Sequence, residues 1–242
     1  MKKYLVLFDI DGTILNFAPN LAKELILELL QDYFNKNISE SVIPDFQGMT
    51  DLQIIKSIAK EIGYSLEQLE DSIPKFWKAL SDTFERHTNS NTTKILPGVS
   101  QLVKELSELP FIELGLLTGN IHQNAYHKLR AVKLDSYFKF GAFGCDSHDR
   151  NELAPIAINR ANNYFDATIF NHKNTLIIGD TYRDEECARV NNIKFVCVAT
   201  GKQSYEALNQ LVPDAIFHDF SNVDLVKSTI IKLLYEKDYH CN

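Results

Sequence analysis

Two aspartates follow the first apolar segment of the chain. The opening MKKYLVLFDIDGTILNF places Asp9 and Asp11 two residues apart, directly after the apolar run at residues 4–8. Alternate residues of a strand point the same way, so a strand continued through Asp11 would direct both carboxylates into one small space. Like charges that are crowded together raise each other's pKa unless a positive group lies between them. The pair therefore predicts a site for a cation, an electrophile or both.

Other apolar runs also lead into polar segments. The runs IELGLL, FKFGAFG and TLIIG precede segments that contribute Thr118, Gly119, Asn120, Arg150, Asp180 and Asp184. In open α/β sheets, ligands bind beyond the carboxyl ends of the strands. We therefore expect these groups to meet the aspartate pair at one edge of a sheet.

A magnesium ion would account for the carboxylates, because it is a hard cation that takes oxygen ligands and keeps waters for a substrate phosphate. Asp9 and Asp180 are the best candidate ligands, and bound metal would keep Asp9 ionised and nucleophilic. Asp11 would give a proton to a leaving alkoxide and later take one from an attacking water. Phosphoryl transfer fits this pattern, since it depends on positioning and charge neutralisation.

The same edge offers groups that bind anions. Thr118 supplies a hydroxyl, and the backbone N–H groups of Gly119 and Asn120 lie at an expected helix start, which favours anions. An ordinary helix N-cap is the alternative for this segment. The planar guanidinium of Arg150 suits two phosphoryl oxygens, although an arginine at a helix start on the surface is a rival interpretation. Lys128 is the main competitor for the cation role, but its place in a helical pattern favours a structural role.

The apolar runs indicate the fold. Those at residues 4–8, 112–117, 138–144, 175–179 and 194–199, with a weaker run at 214–217, lack polar alternation and are typical of buried parallel strands. Helical patterns lie between most of them, which predicts a doubly wound α/β sheet. Residues 16–94 break the alternation, because segments such as LAKELILELLQDYF have apolar residues at helical spacing. We predict an all-helical insertion at 16–94 and a core made of 1–15 and 95–242.

Composition excludes several classes of function. The net charge of −7 argues against broad nucleic-acid binding, since no basic excess is available to neutralise phosphates. The four cysteines form no CxxC pair, so we expect a reducing, cytoplasmic setting. No stretch reaches the roughly 18 apolar residues expected of a membrane helix.

Taken together, DIDGT, LLTGN and GDTYRD resemble motifs one, two and four of the haloacid dehalogenase-like hydrolase superfamily. The resemblance extends from Tyr4 to about Phe217, and the helical insertion lies where that superfamily has its type 1 cap. It implies a Rossmann-like core with an inserted helical cap domain, and we call residues 16–94 the cap segment.

The resemblance also implies roles for individual residues. Asp9 is the expected aspartyl-phosphate nucleophile, and Asp11 is the expected general acid and base. Mg²⁺ would be held by Asp9, the backbone carbonyl of Asp11, and Asp180, with Asp184 bound directly or through water. The groups expected to bind substrate are Gly12 of the first motif, Thr118, Gly119, Asn120 and Arg150.

One motif departs from the superfamily. Most relatives carry a lysine before the helix that precedes the fourth motif, and here the corresponding stretch HDRNELAPIAI has none. Arg150 is the nearest cation by position, so we expect it to take this place. Arginine can bridge a nucleophile and a phosphate, but it differs from lysine in reach and hydration.

The leading prediction is a Mg²⁺-dependent phosphatase, similar to phosphoglycolate phosphatase, that acts on a small phosphorylated metabolite. A phosphomutase of the β-phosphoglucomutase type shares the nucleophile and is the main alternative. Asp11 argues against a haloacid dehalogenase, which needs no acid at that position. Asp51 in GMTD argues against a phosphonatase with a Schiff-base lysine, although Lys56 lies close by. A non-catalytic binding module is the alternative from a different class.

Overall fold

A computed structural model describes residues 2–18, 20–35, 37–42 and 44–236. Within these ranges the strands are β1 (Tyr4–Phe8), β2 (Leu15–Phe17), β3 (Thr93–Ile95), β4 (Ile112–Leu117), β5 (Gly141–Ala142), β6 (Thr175–Gly179), β7 (Lys194–Val198) and β8 (Ala215–Phe217). The α-helices of the same ranges are α1 (Leu21–Phe34), α2 (Asp51–Glu61), α3 (Leu66–His87), α4 (Val99–Ser107), α5 (His122–Ala131), α6 (Leu153–Tyr164), α7 (Tyr182–Val190), α8 (Tyr205–Asn209) and α9 (Val223–Glu236).

Six strands form one parallel sheet in the order β5-β4-β1-β6-β7-β8. Counted along the chain within this sheet, the order is that of a Rossmann fold, with β1 at its centre. The predicted doubly wound α/β sheet is therefore confirmed. The run at residues 138–144 was expected to be a longer strand. Only Gly141 and Ala142 pair with β4, and the run is apolar because Phe138, Phe140 and Phe143 are buried in the core.

Both faces of the sheet are covered, which explains why its strands lack polar alternation. Along β1, Val6 and Phe8 pack with apolar residues of α4, α5 and α9, whereas Leu5 and Leu7 pack with those of α6 and α7. All four side chains are fully buried. Complete burial of such a side chain stabilises a fold by about 1.5–3 kcal/mol, so the central strand is firmly fixed. Its carboxyl end is correspondingly a rigid place for functional groups.

The cap segment forms α1, α2 and α3, which share their own apolar cluster around Leu30, Ile58 and Phe76. Helix α2 begins after Thr50, whose hydroxyl accepts a hydrogen bond from the Gln53 N–H at 3.1 Å. The insertion is not wholly helical, because β2 and β3 pair as an antiparallel ribbon where the chain leaves and rejoins the core. Hydrogen bonding between two neighbouring connections produces this ribbon, and neither connection has an apolar pattern that predicts it.

The domain boundaries after residues 15 and 94 fall inside this ribbon and stay a prediction. The predicted core limit at residue 242 and Cys241 lie outside the described residues. Cys145, Cys187 and Cys197 are free thiols. No helix of the described ranges combines the length and the apolar character that crossing a membrane requires.

Candidate active site

Three carboxylates meet at the carboxyl edge of the sheet. Asp9 follows β1, Asp180 follows the neighbouring strand β6, and Asp184 lies in the first turn of α7. One oxygen atom of each lies within 4.8 Å of the others, and all three residues are buried. The parallel pairing of β1 with β6 brings together residues that are distant in sequence.

Burial and crowding make two of these carboxylates, those of Asp9 and Asp180, hard to ionise. Burial, followed by the charge of Asp184, raises the pKa of Asp9 to about 7. Burial and the charge of Asp9 hold the pKa of Asp180 well above its usual range. The guanidinium of Arg150 pairs with Asp9 and Asp184, so the three carboxylates would carry an excess of two negative charges if all were ionised. A buried set of oxygen donors with this charge excess fits one Mg²⁺ ion.

Arg150 lies beside Asp9. It opens a 3₁₀ turn before α6, and it is 5% exposed. Its Nη2 donates to Asp9 Oδ1 at 3.1 Å and to Asp184 Oδ1 at 2.5 Å. Its Nη1 donates to the carbonyl oxygen of Gly48 in the cap segment at 3.3 Å. The guanidinium therefore joins Asp9, Asp184 and the cap segment.

Asp184 has less freedom to bind a metal than its two neighbours. Its Oδ2 accepts hydrogen bonds from the backbone N–H of Thr181 at 3.1 Å and from the Thr181 hydroxyl at 2.6 Å. In return, the Asp184 N–H donates to the Thr181 hydroxyl oxygen at 3.3 Å, which completes the capping box of α7. Its Oδ1 accepts from Arg150. Asp180 makes no ion pair with a described residue and accepts one bond, from the Thr13 hydroxyl at 3.3 Å. Asp9 and Asp180 thus have fewer competing hydrogen bonds than Asp184 and are more available to bind a metal.

Asp11 does not continue the strand. β1 ends at Phe8, and the carbonyl oxygen of Ile10 then accepts bonds from three following N–H groups, which turn the chain. The Asp11 carboxylate is bound instead by Lys128 Nζ, at 2.8 Å and 2.7 Å, and by Asn120 Nδ2, at 2.7 Å. Its side chain is 40% exposed. The two aspartates therefore contact different cations, whereas a strand continued through Asp11 would have directed both carboxylates into one space.

The segment after β4 lies beside Asp11. Thr118 is fully buried, and its Oγ accepts bonds from the Asn120 N–H at 3.3 Å and from Asn120 Nδ2 at 2.9 Å. Because the hydroxyl is the acceptor in both bonds, its hydrogen remains available for a phosphoryl oxygen. Gly119 packs so closely against the carbonyl oxygen of Met49 that a Cβ would overlap it. Its carbonyl oxygen accepts from the Asp51 N–H at 2.7 Å.

Two glycines enclose the Asp180 carboxylate. Gly12 has a φ of +86°, and a Cβ on either Gly12 or Gly201 would overlap a carboxylate oxygen of Asp180. The Gly12 carbonyl oxygen also accepts a bond from the hydroxyl of Thr200 at 2.5 Å. Close approach of the backbone to Asp180 explains both glycines. The expected contact of Gly12 with substrate stays a prediction.

Sequence reasoning missed two charged residues of this site. Lys128 was assigned a structural place, whereas its ammonium contacts Asp11 and is 4% exposed. Its neighbours on α5, Asn124 and Ala125, are also buried, and a lysine on a buried helix face was the available signal. Asp51 of the cap segment accepts a bond from the Ile121 N–H at 2.7 Å. Burial raises the pKa of this carboxyl to about 6.

The sequence matches the family model described as haloacid dehalogenase-like hydrolase over residues 6–198. It is 25% identical to a phosphoglycolate phosphatase of Nitrosospira multiformis over 227 residues, which cover 87% of this chain and 89% of that protein. It is 24% identical to the pyrophosphatase PpaX of Halalkalibacterium halodurans over 221 residues, or 90% of this chain and 94% of that protein.

Solved structures share the fold. A predicted phosphatase from Clostridium acetobutylicum aligns with a TM-score of 0.65 at 20% identity, covering 96% of this chain and all (100%) of that one. A β-phosphoglucomutase from Clostridium difficile aligns with a TM-score of 0.70 at 17% identity, covering 97% of this chain and all (100%) of that one. At this level of identity the likeness supports the architecture alone.

Proposed function

Because this chain belongs to the haloacid dehalogenase-like hydrolases and is a phosphatase of that family, we propose that it hydrolyses a small phosphate monoester with Mg²⁺, through an aspartyl-phosphate on Asp9. One observation carries the proposal. Asp9, Asp180 and Asp184 converge with Arg150 at the carboxyl end of the central strand, and Asp11 and Thr118 lie beside them. This is the arrangement that phosphoryl transfer requires.

The donor set supports a divalent metal. Asp9 and Asp180 would hold Mg²⁺, together with the backbone carbonyl of Asp11 that the family resemblance implies. When bound, Mg²⁺ neutralises charge on the phosphoryl oxygens and keeps the carboxylates ionised. The raised pKa values of both aspartates mean that metal binding would release protons.

The residues divide the work of two displacement steps. A carboxylate oxygen of Asp9 attacks phosphorus, the bond to the leaving oxygen breaks, and Asp11 gives that oxygen a proton. A water then attacks the phosphorus of the phospho-aspartate, Asp11 takes its proton, and phosphate leaves with Asp9 restored. General acid and base help of this kind typically contributes about 10²–10⁴-fold in rate.

Arg150 and Thr118 would stabilise the phosphoryl group in both steps. The guanidinium already touches the nucleophile at 3.1 Å, so it can hold Asp9 in place and face a phosphoryl oxygen attached to it. The Thr118 hydroxyl has a hydrogen to donate to another phosphoryl oxygen. On this proposal Arg150 takes the place of the lysine that most relatives carry in their third motif.

The substrate is proposed as a small phosphorylated metabolite. The curated relatives are named for phosphoglycolate and for pyrophosphate, which are both small and anionic. The cap segment touches the site through Gly48, Met49 and Asp51, so closing it over the substrate would exclude water and select the leaving group. The predicted cytoplasmic location remains a prediction.

Phosphate release with and without Asp9 tests the proposal. A panel of phosphorylated metabolites and an aryl phosphate would be incubated with Mg²⁺ and either wild type or Asp9→Asn. We expect wild type to release phosphate and the variant to lose at least about 10³-fold in turnover. Asp224→Asn is the matched control, because Asp224 is an exposed carboxylate on α9. Equal activity of wild type and Asp9→Asn would refute the mechanism.

Product analysis separates the phosphatase from the phosphomutase. The β-phosphoglucomutase from Clostridium difficile shares the fold, so the fold alone favours neither outcome. Free phosphate as the product supports hydrolysis, whereas an isomerised sugar phosphate without release of phosphate supports the mutase. Absence of any turnover, with tight binding of a partner, would indicate a binding module.

A further inference from the structure

Lys128 is a buried cation that the two displacement steps above do not use. It lies on the inner face of α5, and its side chain is 4% exposed. Burying an ammonium is costly unless it is paired and hydrogen-bonded. The groups that the Lys128 ammonium contacts must therefore account for its burial.

All three N–H bonds of the ammonium have acceptors. Lys128 Nζ lies 2.8 Å and 2.7 Å from the two carboxylate oxygens of Asp11, and 2.7 Å from Oδ1 of Asn120. A lysine ammonium has three donors and no acceptor. The group is thus fully engaged with protein atoms, unlike a cation kept free to bind substrate.

Asn120 completes a closed set of contacts. Its Nδ2 donates to Asp11 Oδ2 at 2.7 Å and to Thr118 Oγ at 2.9 Å. Lys128 and Asn120 therefore hold the Asp11 carboxylate from one side and tie it to Thr118. With 40% of its side chain exposed, Asp11 still has an accessible side.

Aromatic rings fix the other side of the ammonium. Lys128 Nζ lies 5.2 Å from the ring centre of Phe17 and 5.8 Å from that of Phe84. The two rings stack with their centres 5.5 Å apart. Attraction to aromatic faces is worth more when water is excluded, so the rings keep the ammonium directed at Asp11.

We propose that Lys128 is a positioning residue for the proton transfers of Asp11. It orients the carboxylate towards the leaving oxygen and, in the second step, towards the attacking water, and it does not touch the phosphoryl group. The proposal rests on the proposed function, because it takes Asp11 as the general acid and base.

Leaving-group dependence tests this role. An alkyl phosphate needs protonation of a poor leaving group, whereas an aryl phosphate with an acidic phenol needs little. Lys128→Met should lower kcat/KM for the alkyl ester about 10²-fold and that for the aryl ester about fivefold or less, with KM nearly unchanged. Arg130→Met is the matched control, since Arg130 is an exposed cation on the same helix. Equal losses on both esters, or a loss confined to KM, would overturn the proposal in favour of a cation that binds substrate.

A double variant tests whether Lys128 acts through Asp11. In the Asp11→Asn background, Lys128→Met should have almost no further effect on the alkyl ester, because the group that it orients is gone. Additive losses would contradict the proposal. Thermal unfolding would be measured for each variant, and Lys128→Gln, which keeps a polar end, would replace Lys128→Met if the latter does not fold.

Crystal structures of wild type and Lys128→Met give a result that needs no turnover. The proposal expects the Asp11 carboxylate and the Asn120 amide to change rotamer in the variant. An unchanged Asp11 carboxylate would overturn it. A wild type that hydrolyses neither ester would refute the proposed phosphatase, while the position of Asp11 would still decide the role of Lys128.

Discussion

Without a divalent cation, the variant Asp180→Asn should be more stable to unfolding than wild type. With a divalent cation, it should be less stable than wild type. Wild type buries three carboxylates against the guanidinium of Arg150, and burial with the charge of Asp9 raises the pKa of Asp180. A carboxyl whose folded pKa is raised contributes stability below its unfolded pKa and loses that contribution as pH rises through the folded value. Above neutral pH, the ionised cluster therefore weakens the metal-free fold, and a neutral amide relieves it.

The size of the effect follows from Asp9. Its pKa rises from 3.8 to about 7, so ionising it in the folded protein costs on the order of 4 kcal/mol relative to the unfolded chain. Burial and the charge of Asp9 raise the pKa of Asp180 as well, so a neutral amide there removes a cost of the same kind, and we expect it to restore roughly 2 kcal/mol. For a chain of this length, that corresponds to a rise in the unfolding midpoint of about 4–8 °C.

Magnesium should make wild type more stable than Asp180→Asn. Metal at about 100 times its Kd stabilises wild type by about 2.7 kcal/mol, and Asp180→Asn lacks a ligand for it. Thermal unfolding at about pH 8, followed by circular dichroism with EDTA and with excess MgCl₂, measures both effects. Asp224→Asn, on the exposed face of α9, should behave as wild type in both buffers. A variant less stable than wild type in EDTA, or one that keeps the full magnesium shift, would refute the charge-excess argument.

Three further changes probe other parts of the site. Arg150→Met leaves Asp9 unpaired and should lower the unfolding free energy by about 3–5 kcal/mol and turnover by at least about 10²-fold. Chemical denaturation and phosphate release measure these losses, and Arg150→Lys should give intermediate values. Because the pKa of Asp51 is raised to about 6 in the folded protein, the stability that its protonated form contributes is lost as pH rises from about 4 through 6. The midpoint of urea unfolding, measured as a function of pH, should therefore change less across this window for Asp51→Asn than for wild type. Gly201→Ala would place a methyl group against Asp180 and should weaken Mg²⁺ binding about 10-fold or more in a calorimetric titration; unchanged affinity would contradict this account.

The sheet and the carboxylate cluster at its edge could be predicted from the sequence because each depends on a local pattern. A buried strand followed by an aspartate specifies both where the strand ends and what the edge presents, as at Phe8-Asp9 and Gly179-Asp180. Parallel pairing then brings the ends together without any further information. The length of β5 was harder to predict, because Phe138 and Phe140 are buried in the core without belonging to a strand.

The direction of Asp11 and the place of Lys128 could not be predicted in the same way. Alternation applies only while the strand continues, and the turn centred on Ile10 ends it, so that Asp11 contacts Lys128 whereas Asp9 contacts Arg150. A long side chain on α5 can reach the site only because of how that helix packs on the sheet, which local spacing does not encode. Asp51 depends likewise on where the cap segment contacts the core.

The β2–β3 ribbon has a consequence for how ligands reach and leave the site. Leu15 pairs with Ile95 and Phe17 with Thr93, so the two connections are bonded to each other and cannot swing separately. Any opening of the helical unit must then bend both connections about one common axis. Opening would also have to break the exposed ion pair between Lys202 and Asp45, which joins the core to the cap segment at 3.5 Å. Substrate and phosphate would then enter and leave through the same opening.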